Sequence, residues 1–400
     1  MSVRKRKWAT RSGQEREAWI VDYTDGDGIR RLKTFDKKKD ADKWSAATTV
    51  EVGQGIHVVD SNSVTVKEAA EEWIAAVSRG RGDRGPAEAS TLRQCNYHVD
   101  KYINPRLGRV KLSQLTKPRV MSFRDDLLAA LSRSLAKKVL ASLKGILSEA
   151  QDRGRVAINA ASRVKIGDGA RHREEVAVPA IADIKAILAK LDELAKESKA
   201  WRRRQALLAT AIHTGIRASE VRGLPWEAVD LKQGNIQVIQ RADENGVVGK
   251  PKSKSSYREI NIPADLVKLL RAWKVECPKG PLVFPTQRGN PESLGNIYNR
   301  AWKPIQLGSG VADQKLDEKG HPLRDDAGRP IMYPRYNFHA LRHFHASLLI
   351  HDGANPKDIQ VELGHSSIQV TFDLYGHLFK DEGADRRRTE RSERLAGLLS

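Results

Sequence analysis

The spacing of hydrophobic and polar positions changes period along the chain. Ala18-Trp-Ile-Val-Asp-Tyr23 alternates as a strand does, Asp25-Gly-Asp-Gly28 is a hairpin turn signal, and Arg30-Arg-Leu-Lys-Thr-Phe35 alternates back. Asp36 then stands as the N-cap of a helix through Ala41 and Trp44 to about Val52, so residues 1–60 read as a three-stranded sheet on one helix. After a polar joint at 60–63 the period becomes helical. It predicts helices over Val64–Ser78, Ala89–Tyr102, Thr116–Leu131 and Ser134–Arg153, with Pro118 just inside the third, so residues 64–165 form an all-α domain. Gly167-Asp-Gly-Ala170 and the charged run to Glu175 mark a linker.

Residues 176–385 then mix helices (Ala182–Lys196, Trp201–Thr214, Ala264–Val275, Leu294–Pro304, His339–His351, Pro356–Leu363) with short strands at Ile236–Arg241, Val247–Lys250 and Tyr257–Ile262. Residues 307–336 show little periodicity and read as an exposed insertion, and no internal repeat stands out. The tail, 386–400, is basic and then apolar, with Leu395, Leu398 and Leu399 at helical spacing. The expected fold is multidomain, mainly α with small β elements.

Composition narrows the class of partner. The 400 residues carry 70 Lys+Arg against 50 Asp+Glu, a formal charge of +20. Such a field attracts polyanions, and duplex DNA presents about one charge per 1.7 Å of axis, although basic charge also serves plain solubility. Between Lys101 and Arg173 there are 17 Lys+Arg and 5 Asp+Glu, which places phosphate contact on the helical domain, through Lys117, Arg119, Arg124, Lys137, Lys138 and Lys144. No apolar run is long enough to span a bilayer, and the basic N-terminus is followed by no apolar stretch. Two isolated cysteines, Cys95 and Cys277, fit a reducing compartment and exclude a thiolate zinc site. A cytoplasmic protein without membrane partners is expected.

Four clusters in the second half carry candidate chemistry: Thr214-Gly-Ile-Arg217-Ala-Ser-Glu220, His339-Ala-Leu-Arg342-His343, Leu363-Gly-His365, and Thr371-Phe-Asp-Leu-Tyr375-Gly-His377. His339 and His343 have the spacing of a zinc helix, but no Glu follows His339, and neither a phosphate-binding loop nor a dinucleotide fingerprint occurs. No metal and no cofactor are expected. Breaking a phosphodiester without a metal requires a nucleophile, charge clamped on the phosphoryl oxygens and an acid, and the four clusters hold residue types suited to these tasks. Tyr375 offers a phenol nucleophile whose pKa neighbouring cations can lower. Arg217 and Arg342 offer charged forks for two phosphoryl oxygens. His339 suits acid–base work, and His365 a bond to phosphate or to the nucleophile. Glu220 is placed to anchor Arg217, while His343, Trp226 and Trp302 read as packing residues and His377 as support for the Tyr375 helix.

In the order Arg, Lys, His-x-x-Arg, His, Tyr, these residues resemble the tyrosine recombinase (phage integrase) family, across about residues 176–385. The resemblance implies a 3′-phosphotyrosyl intermediate on Tyr375 and a general acid on the hairpin after the first box. There Lys252, in Pro-Lys-Ser, matches best, with Lys254 as rival. It further implies a helical core-binding domain at 64–165 and a mixed α+β catalytic domain at 176–385, clamped around duplex DNA. Residues 1–60 would be an arm-type DNA-binding module, and 386–400 a tail exchanged between protomers. The expected partners are double-stranded attachment sites in the bacterial nucleoid, a homotetramer on DNA, a DNA-bending host factor and an excision directionality factor. Alternatives of the same fold are a non-catalytic DNA-binding protein and a type IB topoisomerase.

Overall fold

The computed structural model describes residues 1–9, 14–25, 28–53, 59, 63–81, 85–167 and 176–379. The 386–400 tail therefore lies outside the described residues, as do most of the 60–63 joint and of the linker up to 175. The chain divides into two compact units, Met1–His172 and Arg173–Ser400. Among the described residues no helix is long and apolar enough to cross a membrane.

The first unit opens with β1 (Ser2–Ala9), β2 (Glu15–Thr24) and β3 (Arg30–Phe35), an antiparallel sheet in that order. Arg4 pairs with Ile20, and Trp19 with Phe35. The helix α1 (Lys38–Gly53) covers one face, where Trp44 packs on Tyr23 and Phe35. Strand alternation sends Arg4, Arg6 and Arg30 to the opposite face, with Asp22 between the first and last of these.

A helical set follows: α2 (Val66–Arg79), α3 (Ala89–His98), α4 (Asn104–Leu107), α5 (Lys117–Ala130) and α6 (Arg133–Asp152). A capping box between Thr65 and Glu68 starts α2, and Val66, Ala69, Ala70 and Trp73 turn one stripe inward against α6. The third helix runs further than its sequence period suggests. A π-turn at Val99–Ile103, where the Asn104 N–H reaches the Val99 carbonyl, carries it into α4. Pro105 explains the widened turn, because it has no N–H and its ring crowds the carbonyl four residues back.

The second unit contains α7 (Ile181–Glu197), α8 (Lys199–Thr214), α9 (Ala218–Arg222), β4 (Val229–Asp230), β5 (Asn235–Val238), β6 (Arg241–Ala242), β7 (Val248–Gly249), β8 (Arg258–Asn261) and α10 (Ala264–Glu276). Strand β5 lies between β4 and β8, while β6 and β7 pair separately, so the three expected strands resolve into two small sheets. Next come α11 (Leu294–Ile297) and α12 (Lys303–Gly308), joined by a second π-turn, again just ahead of a proline, Pro304. Trp302 is fully buried there.

Residues 307–336 are not the irregular insertion that their composition suggests. Strands β9 (Ala312–Gln314) and β10 (Met332–Pro334) pair. Between them, Leu316–Leu323 and Arg324–Ile331 are two copies of one eight-residue turn unit. In each copy an Asp Oδ1 (Asp317, Asp325) accepts the backbone N–H groups two and four residues on. Gly320 and Gly328 take the positive φ that closes the turn, 85° and 75°. Lys315, Leu323 and Ile331 then hydrogen-bond in a closed ring of three backbone segments. The chain finishes with α13 (Ala340–His351), α14 (Pro356–Leu363) and α15 (Ile368–Tyr375).

Candidate active site

The site forms where the ends of α8, α13 and α14 meet. Helix α8 stops at Gly215, and α14 stops at Gly364 with φ 66° and ψ 46°. Those chain reversals leave carbonyls that no helix uses, and two arginines take them. Arg217, the N-cap residue of α9, donates from Nη2 to the Gly364 carbonyl at 2.8 Å and from Nη1 to Glu220 Oε1 at 2.8 Å. Arg342, in the first turn of α13, donates from Nη1 to the Gly215 carbonyl at 3.0 Å and from Nη2 to the Leu363 carbonyl. Each guanidinium keeps N–H groups beyond these bonds.

Behind them lies a third arginine that its sequence position did not single out. Arg258, at the start of β8, bonds Glu220 Oε2 at 2.9 Å, the Glu362 carbonyl at 2.7 Å and the Ser256 carbonyl at 3.0 Å. Glu220 therefore bridges Arg217 and Arg258 and is itself 2 % exposed. Burial alone would raise its pKa, but Arg258 and then Arg217 outweigh burial and hold the carboxyl below its usual range. Arg342 is 2 % exposed, and burial with Arg217 and Arg258 nearby brings it down to about 9, still cationic at neutral pH.

Tyr375 is fully buried at the C-terminal end of α15. Its hydroxyl lies 2.8 Å from His343 Nδ1, and the His365 ring stacks on it with centroids 6.3 Å apart. His365 is fixed by Thr371, with Nδ1 to Oγ1 at 2.9 Å. His339, the N-cap residue of α13, keeps an exposed side and meets the His343 ring edge-on at 4.8 Å.

Electrostatics here run against one sequence expectation. Nearby cations do not lower the Tyr375 phenol, since burial dominates over Arg342 and pushes it up to about 12. Burial and the flanking cations depress all three histidines: His365 to about 3, His343 to about 4, and His339 in the same direction through desolvation, Arg342 and Arg217. At neutral pH the tyrosine is a neutral phenol among neutral imidazoles, beside two guanidinium groups.

Five of the sequence-selected residues, Arg217, His339, Arg342, His365 and Tyr375, thus gather at one place. Lys252 and Lys254 are exposed, on the segment between β7 and β8. That segment touches the site through Ser255, whose carbonyl oxygen would lie 2.9 Å from a Cβ at Gly364. The six basic residues of the helical domain belong to the other unit. Lys117, Arg119 and Lys138 are exposed on α5 and α6, whereas Arg124, Lys137 and Lys144 are half-buried, with Arg124 paired to Asp125. Sequence reasoning gave His343 only a packing role and did not single out Arg258. A basic residue next to the His-x-x-Arg box and an arginine at the head of a strand were the only signals.

Gly364→Ala tests this architecture. The left-handed φ and the Ser255 carbonyl both oppose a Cβ there, so the substitution should cost about 2 kcal/mol or more in a denaturant titration.

The profile of the phage integrase family matches residues 181–382. A XerC-like tyrosine recombinase of Caldanaerobacter subterraneus subsp. tengcongensis is 25 % identical over 85 % of this chain and 86 % of its own length. The ICEBs1 integrase of Bacillus subtilis is 26 % identical over 76 % of each. Among solved structures, the Tn1549 transposon integrase bound to transposon right-end DNA superposes with a TM-score of 0.61 at 19 % identity, covering 83 % of this chain and all of that one. A lambda integrase tetramer on a Holliday junction gives 0.53 at 17 % identity, covering 90 % and 95 %. With half of its length matched by that profile and the arginine–histidine–tyrosine site folded within the match, the chain belongs to the phage integrase family, the tyrosine recombinases that break and rejoin DNA.

Proposed function

We propose that this enzyme integrates or excises a phage or other mobile element, and that Tyr375 is its nucleophile. The observation that carries the reading is the convergence of Arg217 and Arg342, both tied to the Leu363–Gly364 turn, beside the Tyr375 hydroxyl. Tyr375 Oη attacks phosphorus, the bond to the 5′-oxygen breaks, and a 3′-phosphotyrosyl link stores the bond energy. Arg217 and Arg342 hold the two non-bridging oxygens, whose charge grows in the transition state, and His339 and His365 add hydrogen bonds. Lys252, or Lys254 in its place, protonates the leaving 5′-oxygen. Because Tyr375 is wholly buried, cleavage also requires a movement that opens Oη to the phosphate.

The remaining assignments follow the layout. Residues 64–165 bind core-site DNA through Lys117, Arg119, Arg124, Lys137, Lys138 and Lys144. Residues 1–60 bind arm-type sites, a role that Arg4, Arg6 and Arg30 on the uncovered sheet face support. Residues 386–400 link protomers of a tetramer. The Tn1549 and lambda proteins were solved on DNA, one lambda structure as a tetramer, which supports attachment-site duplexes and homotetramers here. A bending host factor and an excision directionality factor complete the assembly, in the cytoplasm on the host nucleoid.

Two differently labelled duplexes carrying the DNA that flanks this protein's gene test the reading. Recombinant products joining one label to the other are expected. Relaxation of supercoils with each strand keeping its partner would instead mark a topoisomerase, and binding without cleavage a non-catalytic protein. Lys252→Ala should slow strand cleavage by roughly 10²-fold or more and Lys254→Ala by much less; the reverse order would move the acid to Lys254.

A further inference from the structure

The proton on Tyr375 must leave when its oxygen attacks phosphorus, and the surroundings narrow where it goes. Glu220, the carboxylate nearest the arginines, is occupied by Arg217 and Arg258. His365 faces the phenol as a stacked ring, with its Nδ1 committed to Thr371. Among the described residues the Tyr375 hydroxyl has one hydrogen-bond partner, His343 Nδ1, at 2.8 Å. We propose that His343 is a catalytic residue whose Nδ1 accepts the phenol proton as Tyr375 attacks, and returns it when the 5′-hydroxyl re-attacks and releases the tyrosine.

The inference rests on Tyr375 being the nucleophile. In the cleavage step the Oη–P bond forms, the P–O5′ bond breaks, the Tyr375 proton passes to His343, and the 5′-oxygen takes a proton from Lys252. The reverse step restores each, so no outside reactant is consumed. The Arg342 charge acts on both Tyr375 and His343, so a phosphate held by Arg342 lies close to the hydroxyl that His343 holds once Oη has opened to it. The tautomer that can accept carries its hydrogen on Nε2. The groups facing His343 are His339 and Arg342 from its own helix and Tyr375, backed by His365, from α15. Burial first, and then His339 and Arg342, disfavour imidazolium in this arrangement, and the negative charge that the phosphoryl group gains between the arginines in the transition state favours it.

The test is single-turnover adduct formation by the full chain on nicked attachment-site DNA, followed from pH 6 to pH 9. Wild type, His343→Gln, His343→Ala and Tyr375→Phe are compared, with gel-shift affinity and melting temperature confirming that each variant folds and binds. At pH 7 both His343 variants should cleave roughly 10²–10⁴-fold more slowly. Their rates should rise about tenfold per pH unit as hydroxide replaces the lost base, while wild type stays flat. On DNA with sulfur in place of the scissile 5′-bridging oxygen, the Lys252→Ala defect should vanish, because a thiolate leaves without an acid, and the His343 defect should persist.

A His343→Gln rate within threefold of wild type across that range would overturn the proposal. So would a loss that is the same at every pH, which is the mark of a merely structural histidine, or a defect that the sulfur substrate repairs. An adduct still formed by Tyr375→Phe would instead refute the nucleophile assignment beneath it, and so the two failures are distinguishable.

Discussion

Tyr375→Phe should abolish covalent capture of DNA, lowering strand cleavage by roughly 10⁴–10⁶-fold, the scale seen when a nucleophile is deleted from an otherwise intact site. The substitution removes one oxygen from a fully buried ring and leaves its packing beside Ala346, Ile359 and Leu363 unchanged. His343 Nδ1 loses its partner, which should cost about 1–3 kcal/mol of stability. DNA affinity should be unaltered, because Arg217, Arg342 and the basic helices are untouched. Gel shift beside denaturing electrophoresis reads both quantities on one sample. Binding retained with capture lost is the expected pair, and capture retained would assign the nucleophile elsewhere.

The second large effect belongs to Glu220. Glu220→Ala leaves Arg258 buried without its carboxylate, and breaking a buried pair by removing one partner costs about 3–5 kcal/mol. Arg217 would lose the anchor that fixes its fork, so cleavage should fall even where the variant remains folded. The pH dependence has a definite sign. The folded-state pKa of Glu220 is depressed, so its stabilisation is complete above the ordinary carboxylate value of roughly 4.3 and fades as pH falls through the lower folded value. The stability gap between wild type and Glu220→Gln should therefore be widest near neutrality and close in acid. Urea titrations at pH 7 and pH 3.5 measure it, and a gap that is equal at both would show that the Glu220 charge contributes nothing.

Much of the site was legible because its residues sit in short boxes whose chemistry is unusual in combination. Arg217 follows a glycine that ends a helix, His339 and Arg342 share one helix start, and His365 and Tyr375 follow at close spacing. The family resemblance then extended this reading to the hairpin lysines. What escaped was fixed only by tertiary contact. His343 reads as one more helix residue until α15 brings Tyr375 to it, and Arg258 reads as a strand residue until α9 brings Glu220. The direction of the Tyr375 shift also needed coordinates, since sequence shows the nearby cations but not the burial that outweighs them.

Elsewhere local rules were available and outranked by looser ones. The Asp-x-x-Gly spacing at Asp317 and Asp325 specifies two tight turns, yet the polar composition around them hides the repeat. At Pro105 and Pro304 a proline signals a helix end, and in both places a π-turn lets the helix continue.

Tyr375 should join covalently to DNA without a metal. The most direct test of this is to trap the protein on nicked attachment-site DNA in EDTA, digest both polymers, and locate the attached nucleotide by mass spectrometry. A 3′-linked nucleotide on the peptide containing Tyr375 is expected. A nucleotide on any other residue, or an adduct that forms only when a divalent metal is supplied, would contradict it.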